Sequence, residues 1–199
     1  MDRLNGRDIL EQFSLTVFED RSLFDGAGTA VIREHFRHWA ANAFRSEHSG
    51  TGEDVPRSPP AFLPSGHVPS SYAAAKGGAA EGTSPRYRFC VQVDTAALQS
   101  ILYDAPAPPG IDVTKKGWVK LIEGDWTPCS ENPRLRNRAD PNVYDAIEGL
   151  TEDDVGWMKI PYQSIMTDDY LDFVDRNHWT VSYVRPPTVA GWPHNEETL

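Results

Sequence analysis

The 199-residue chain carries 29 acidic against 19 basic residues, a formal charge of −10, and 39% apolar residues, with six Trp, seven Tyr and eight Phe. That suits one ordinary domain with tails and a real core, and the acidic balance argues against nucleic acid and anionic lipid as partners. No apolar run approaches the roughly 18 residues of a membrane span, residues 1–8 lack the apolar stretch of a secretory leader, and Cys90 and Cys129 cannot make a disulfide framework. A cytoplasmic address is expected.

Two amphipathic helices are predicted first. Residues 6–19 place Ile9, Leu10, Phe13 and Val17 on one face, and residues 29–47 align Ile32, Phe36, Trp39 and Ala43, with Thr29 as an N-cap. Residues 49–85 follow, in which Gly, Pro, Ser and Ala supply 24 of 37 positions. Such a composition buries too little to offset its ordering entropy, so a flexible loop is expected. The period then changes to two: Tyr87, Phe89, Val91 and Val93 alternate with Arg88, Cys90 and Gln92, as in a strand. Asp94 can cap a helix over 95–104 with Leu98, Ile101 and Leu102 on one face, ended by the prolines that follow.

Strands are predicted at 117–122 and 156–160, where a phrase is repeated: Gly117-Trp118-Val119-Lys120-Leu121 and Gly156-Trp157-Met158-Lys159-Ile160. Alternation puts Trp and Lys on one side of each and two aliphatics on the other. Thr167 can cap a further helix, and Trp179, Val181, Tyr183 and Arg185 alternate over a last strand, 179–185. The order β-α-β, long loop, β-α-β over 86–187 predicts an α+β core: a four-stranded, mainly antiparallel, ferredoxin-like sheet. Residues 1–48 would pack on it as two extra helices, with the loop at 49–85 and a C-terminal tail at 188–199.

The candidate chemistry is sparse. Glu34, His35 and His38 share a helix but lack the HExxH spacing, so no metal is expected, with His35 and His38 the weak candidates; His48 could approach the same side. Glu152, Asp153 and Asp154 could form an acid pair or hold Mg²⁺, but adjacent turn residues point apart and a solvated turn is expected. Cys129 as a nucleophile would need His178 or His194 as a base; Cys90, inside a strand, reads as structural. Arg134, Arg136 and Arg138 form a cationic cluster suited to neutralising the chain's own acids. Ten acids and one base lie between Asp140 and Asp175.

Motifs for nucleotide hydrolysis, dinucleotide binding, serine esterases and zinc fingers are missing, and no cofactor is expected. The aromatic face resembles that of RNA-recognition sheets only loosely, since the flanking aromatic pattern is missing and the net charge has the opposite sign. The expected function is a non-enzymatic interaction module binding a protein partner, basic if it meets the acidic face, with Trp118, Trp126, Trp157 and Trp179 as binding residues. The alternative is a small cofactor-free lyase, isomerase or hydrolase taking a small-molecule ligand, with His178, Asp125, Tyr183 and Arg185 gathered in a pocket between sheet and helices.

Overall fold

In the computed structural model the described residues are 15–48, 84–107, 110–129, 144–165, 172–173 and 178–191. Helices α1 (Arg21–Phe24), α2 (Thr29–His48) and α3 (Pro85–Arg88) precede strand β1 (Phe89–Gln92). Helix α4 (Thr95–Gln99) runs into a π-helical turn (Ser100–Asp104), followed by β2 (Trp118–Glu123), β3 (Trp157–Pro161) and α5 (His178–Ser182). The three strands form one antiparallel sheet in the order β1-β2-β3.

The repeated phrase builds the centre of that sheet. Lys120 lies opposite Lys159, Trp118 opposite Pro161 and Ile122 opposite Trp157, so the local two-fold axis of an antiparallel pair carries one copy onto the other. Both glycines serve the same purpose at their ends of the pair: the Tyr162 amide donates to the Gly117 carbonyl at 3.2 Å, and the Glu123 amide to the Gly156 carbonyl at 3.0 Å. Each lysine lies over the indole of the other copy, Lys159 Nζ 3.8 Å from the Trp118 ring centre and Lys120 Nζ 4.6 Å from that of Trp157. The two glycines are sterically required. A Cβ on Gly117 would lie 2.8 Å from the Tyr162 ring and 2.9 Å from the Ala105 methyl. Gly156 has φ +75°, and a Cβ there would strike Trp126 and the Arg33 guanidinium.

One sheet face carries Phe89, Val119, Leu121, Met158 and Ile160 into a cluster closed by Phe173, Trp179 and Ala190. On the other, Ile122 and Trp157 pack with Val155, joined by Ile32 of α2 and by Cys90. Further along α2, Phe36, Ala40 and Phe44 pack on Tyr87. Each large apolar side chain buried in this way is worth roughly 1.5–3 kcal/mol, against about 0.2–1 kcal/mol for an exposed ion pair such as Arg21–Asp25. The sheet faces, not surface charge, hold the fold.

Several expectations change. The strand expected over 179–185 is the helix α5 followed by irregular chain, so the described sheet has three strands and the four-stranded ferredoxin-like order is not formed. Trp179 and Tyr183, four apart, share a side in a helix as well as in a strand, and that pair could not separate the two. Val181 separates them: it is 76% exposed while Trp179 is buried. Trp179 stacks on Phe89 and its indole donates to Asp154 at 3.0 Å, contacts that override the strand preference of Thr180 and Val181.

Of the helix expected at 6–19, residues 15–19 are irregular and the rest lies outside the described residues. Tyr87 and Arg88 belong to α3, started by Pro85 at its first position, rather than to the strand that follows. In the 95–104 segment Ala97 and Ser100 are buried while Leu98, in the α-helical part, and Leu102, in the π turn, are exposed, so the expected stripe of Leu98, Ile101 and Leu102 is not the buried one. The loop at 49–83, the helix after Thr167 except Asp172 and Phe173, and Arg134, Arg136 and Arg138 lie outside the described residues, as do the side chain of His48 and all of His194.

Candidate binding cleft

The loop entering β2 is organised by Asp112. Its carboxylate accepts from the Gly117 amide at 2.7 Å, the Thr114 hydroxyl at 2.8 Å and the Thr114 amide at 3.2 Å. Burial opposes its ionisation, but these donors outweigh it and hold the carboxyl below its ordinary range. The loop thereby presents Lys115, at φ +54°, and Lys116 beside the start of β2. On the far edge of β3, Val189 bridges to Lys159, and the Ala190 amide donates to the Lys159 carbonyl at 2.8 Å. Gly191, lacking a Cβ, leaves room for the Lys115 side chain to lie across it.

Between these elements lies a shallow cleft of about 400 Å³, lined by Asp104, Thr114, Lys115, Lys116, Trp118, Lys159, Pro187 and Val189. Burial lowers the Lys159 proton affinity; Asp94 opposes that effect and Lys120 adds to it. Asp94 is nonetheless committed elsewhere. It caps α4 through the Ala97 amide at 2.8 Å and pairs with Lys120 at 2.9 Å. No described carboxylate forms an ion pair with Lys159 or Lys116.

A second concentration of charge lies at the other end of the β2–β3 pair. Arg33, 6% exposed, donates to the carbonyls of Glu123 at 2.9 Å and Gly156 at 3.0 Å and covers the Trp126 ring at 4.8 Å. Burial, then Arg37, pushes its guanidinium down to about 10. The Glu123 carboxyl is pushed up to about 8 by burial and then by Asp125 and Asp154, despite Arg88 and Arg33 nearby. Those arginines bond backbone oxygens, Arg88 the Phe173 carbonyl at 3.1 Å, and no described donor bonds the Glu123 carboxyl. Asp154 is also raised, by burial, although it accepts from Gly156 and Trp179. Raised carboxyls of this kind can serve acid–base chemistry, but none of them lines the cleft.

The four catalytic candidates divide among separate places. The Tyr183 hydroxyl donates to the Asp153 carbonyl at 3.0 Å, and Arg185 donates to the carbonyls of Glu152, Asp153 and Asp145, so both brace the 152–155 turn. Asp125 neighbours Arg37 and Glu123. His178 Nε2 lies 2.8 Å from the Ser182 hydroxyl and 3.9 Å from Asp172. Both partners meet the same ring nitrogen, whereas a nucleophile–base–orienter chain uses the two nitrogens separately. Cys129 has its thiol raised by burial, Glu152 and Asp154, the reverse of activation. Burial pushes the Cys90 thiol up to about 12, as a structural cysteine requires.

The turn carboxylates point apart as expected: Glu152 accepts from the Cys129 amide at 2.7 Å, Asp154 faces Gly156 and Trp179, and Asp153 is exposed. His35 packs edge-on against Phe18 and Phe24, each at 5.0 Å, and His38 is exposed. Among the described residues no three His, Cys, Asp or Glu gather as metal ligands.

Of the four tryptophans, Trp157 and Trp179 are buried, Trp126 lies under Arg33, and Trp118 alone of the four lines the cleft. Sequence reasoning noticed the Trp–Lys faces but missed Lys115 and Lys116 as their neighbours, although the run Lys115-Lys116-Gly117-Trp118 was the available signal. It also missed Arg33, whose place three residues before Phe36 sets it on the buried stripe. No described helix is long and apolar enough to cross a membrane. No protein-family model matches the chain, and neither does any curated protein or solved structure.

Proposed function

We propose that the chain is a non-enzymatic, cytoplasmic interaction module that engages a protein partner through the open, Trp118–Lys159 end of its aromatic sheet face. The observation that carries this reading is the pairing of a half-buried indole, Trp118, with Lys159 and Lys116, which form no ion pair with a described carboxylate, in a shallow cleft. Aromatic rings beside unpaired cations are typical anchors of protein recognition. Two free thiols, Cys90 and Cys129, suit a reducing compartment.

The acidic stretch supports a basic partner less well. Glu148, Glu152 and Asp154 are bonded within the fold, leaving Asp145, Asp153 and Asp172 as its other described acids, all exposed. The contacting group of the partner is therefore anionic. The alternative of a cofactor-free enzyme draws no support from His178, Asp125, Tyr183 and Arg185, which do not line the cleft.

The test is a fluorescence-polarisation screen of short aromatic peptides with acidic, neutral or basic flanks. Acidic peptides should bind best, and Trp118→Ala should weaken them about ten-fold or more while circular dichroism stays unchanged. Equal binding to Trp118→Ala, or preference for basic peptides, would refute the reading.

A further inference from the structure

We infer that the partner presents to the cleft a tight turn carrying a glutamate between aliphatic flanks, an inference that rests on the protein-partner reading above. The molecule holds a filled copy of this site. The two-fold axis of the β2–β3 pair carries Trp118 and Lys159 onto Trp157 and Lys120, and at both ends the ammonium lies over the indole of the other strand. The two ends differ in their cover: Trp157 is 5% exposed, whereas Trp118 is half-buried at the wall of the cleft.

The turn Ile147-Glu148-Gly149-Leu150 helps to cover the closed end. Ile147 and Leu150 each donate an amide to the other's carbonyl at 2.9 Å. Glu148 at φ +50° and Gly149 at φ +85° are both left-handed, as the central residues of a type I′ turn must be. Its aliphatic ends pack on the cluster of Ile122, Val155 and Trp157. Its Glu148 carboxylate lies 3.8 Å from Lys120, which also pairs with Asp94 at 2.9 Å. One short element thus supplies apolar cover and a counter-charge together. Among the described residues the open end has no such element, and Asp104, though it lines the cleft, forms no ion pair with Lys159. The same lysine–indole pair in the same sheet calls for the same complement: a carboxylate on Lys159, with aliphatic flanks against Pro187 and Val189. Lys115 lies across Gly191, and the recognition does not depend on it. A tight turn also fixes its glutamate before binding, which lowers the ordering cost. In a second copy of the chain this turn is already seated at the Trp157 end, so a different protein supplies it.

The experiment is an NMR titration of the full chain, read at the amides, the indole N–H groups and the lysine side chains. The probe is a cyclic peptide carrying the chain's own turn, residues 145–151. Its counterparts are the linear form, a Glu148→Gln form and a form with phosphoserine in place of the glutamate. The cyclic peptide should bind saturably and shift Trp118 and Lys159. The linear and Glu148→Gln forms should each bind about ten-fold more weakly, and the phosphoserine form no more tightly. In the chain, Lys159→Gln should lose about ten-fold, and Arg21→Ala on α1 should lose nothing. Sedimentation equilibrium of the free chain should give a monomer.

Equal binding of the Glu148→Gln form, or tighter binding of the phosphoserine form, overturns the carboxylate, and equal binding of the linear form overturns the turn. If the acidic aromatic peptides of the previous test bind through Trp118 and the cyclic peptide does not, the turn falls and the interaction module stands. Binding of neither overturns both. Shifts confined to Trp157 and α2 overturn the assignment to the open end, as does an undiminished Lys159→Gln chain with native amide dispersion. A dimer that Lys159→Gln dissociates gives the cleft to a second copy and overturns the foreign partner. The peptide series uses the native chain, so it decides even where a variant fails to fold.

Discussion

Replacing Glu123 by Gln removes a titrating carboxyl while keeping its shape, and the consequence depends on pH. In the folded chain this carboxyl is pushed from 4.5 up to about 8. The folded state thus binds more protons than the unfolded state throughout that interval. Stability due to this group is fully present below about pH 4.5 and is lost as pH rises towards 8. Each tenfold change in proton affinity is worth about 1.4 kcal/mol, so ionising Glu123 in place costs at most about 5 kcal/mol.

Asp154, raised in the same direction, adds to the loss. Urea unfolding at pH 5, 7 and 9 should therefore show the native chain weakening with pH. Glu123→Gln should match it near pH 5 and exceed it at pH 9 by about 2–5 kcal/mol. Parallel profiles for the two proteins would refute the account. So would a native chain that gains on the variant as pH rises, because the carboxylate would then be stabilised by Arg33 and Arg88.

Three further outcomes follow from the same contacts. Gly156→Ala should cost about 2–4 kcal/mol, because φ +75° and the Trp126 ring both oppose a Cβ; thermal unfolding measures it, and Gly149→Ala, with similar φ but open space, provides the purely conformational comparison. Arg33→Ala should cost about 3 kcal/mol by leaving the Glu123 and Gly156 carbonyls without their guanidinium donor, and Arg33→Lys should not restore it, since one ammonium cannot reproduce the fork; denaturant midpoints decide. Glu148→Ala should cost about 1–2 kcal/mol by uncapping α2, whose Thr29 amide and hydroxyl donate to Glu148 at 2.9 and 2.7 Å, and amide exchange in the first turn of α2 should accelerate before the rest of the helix.

Local chemistry was legible in the sequence. The alternation in the two Gly-Trp phrases predicted β2 and β3, the stripe through Phe36 predicted the buried side of α2, and Asp94 before a run of helix formers predicted the cap of α4. These signals repeat over a few residues, within reach of one turn or one pleat. Half of the cleft was also visible, because the repeat placed Trp118 and Lys159 on one sheet face.

Tertiary structure decided the rest. It turned 178–182 into a helix because Trp179 stacks on Phe89, although the spacing of Trp179 and Tyr183 suits either conformation. It capped α2 with Glu148, 119 residues away. It closed the cleft by bringing Asp104, the 114–116 loop, Lys159 and Val189 together. None of these partners is marked by spacing in the chain, because a contact between distant segments leaves no period for a local pattern to reveal.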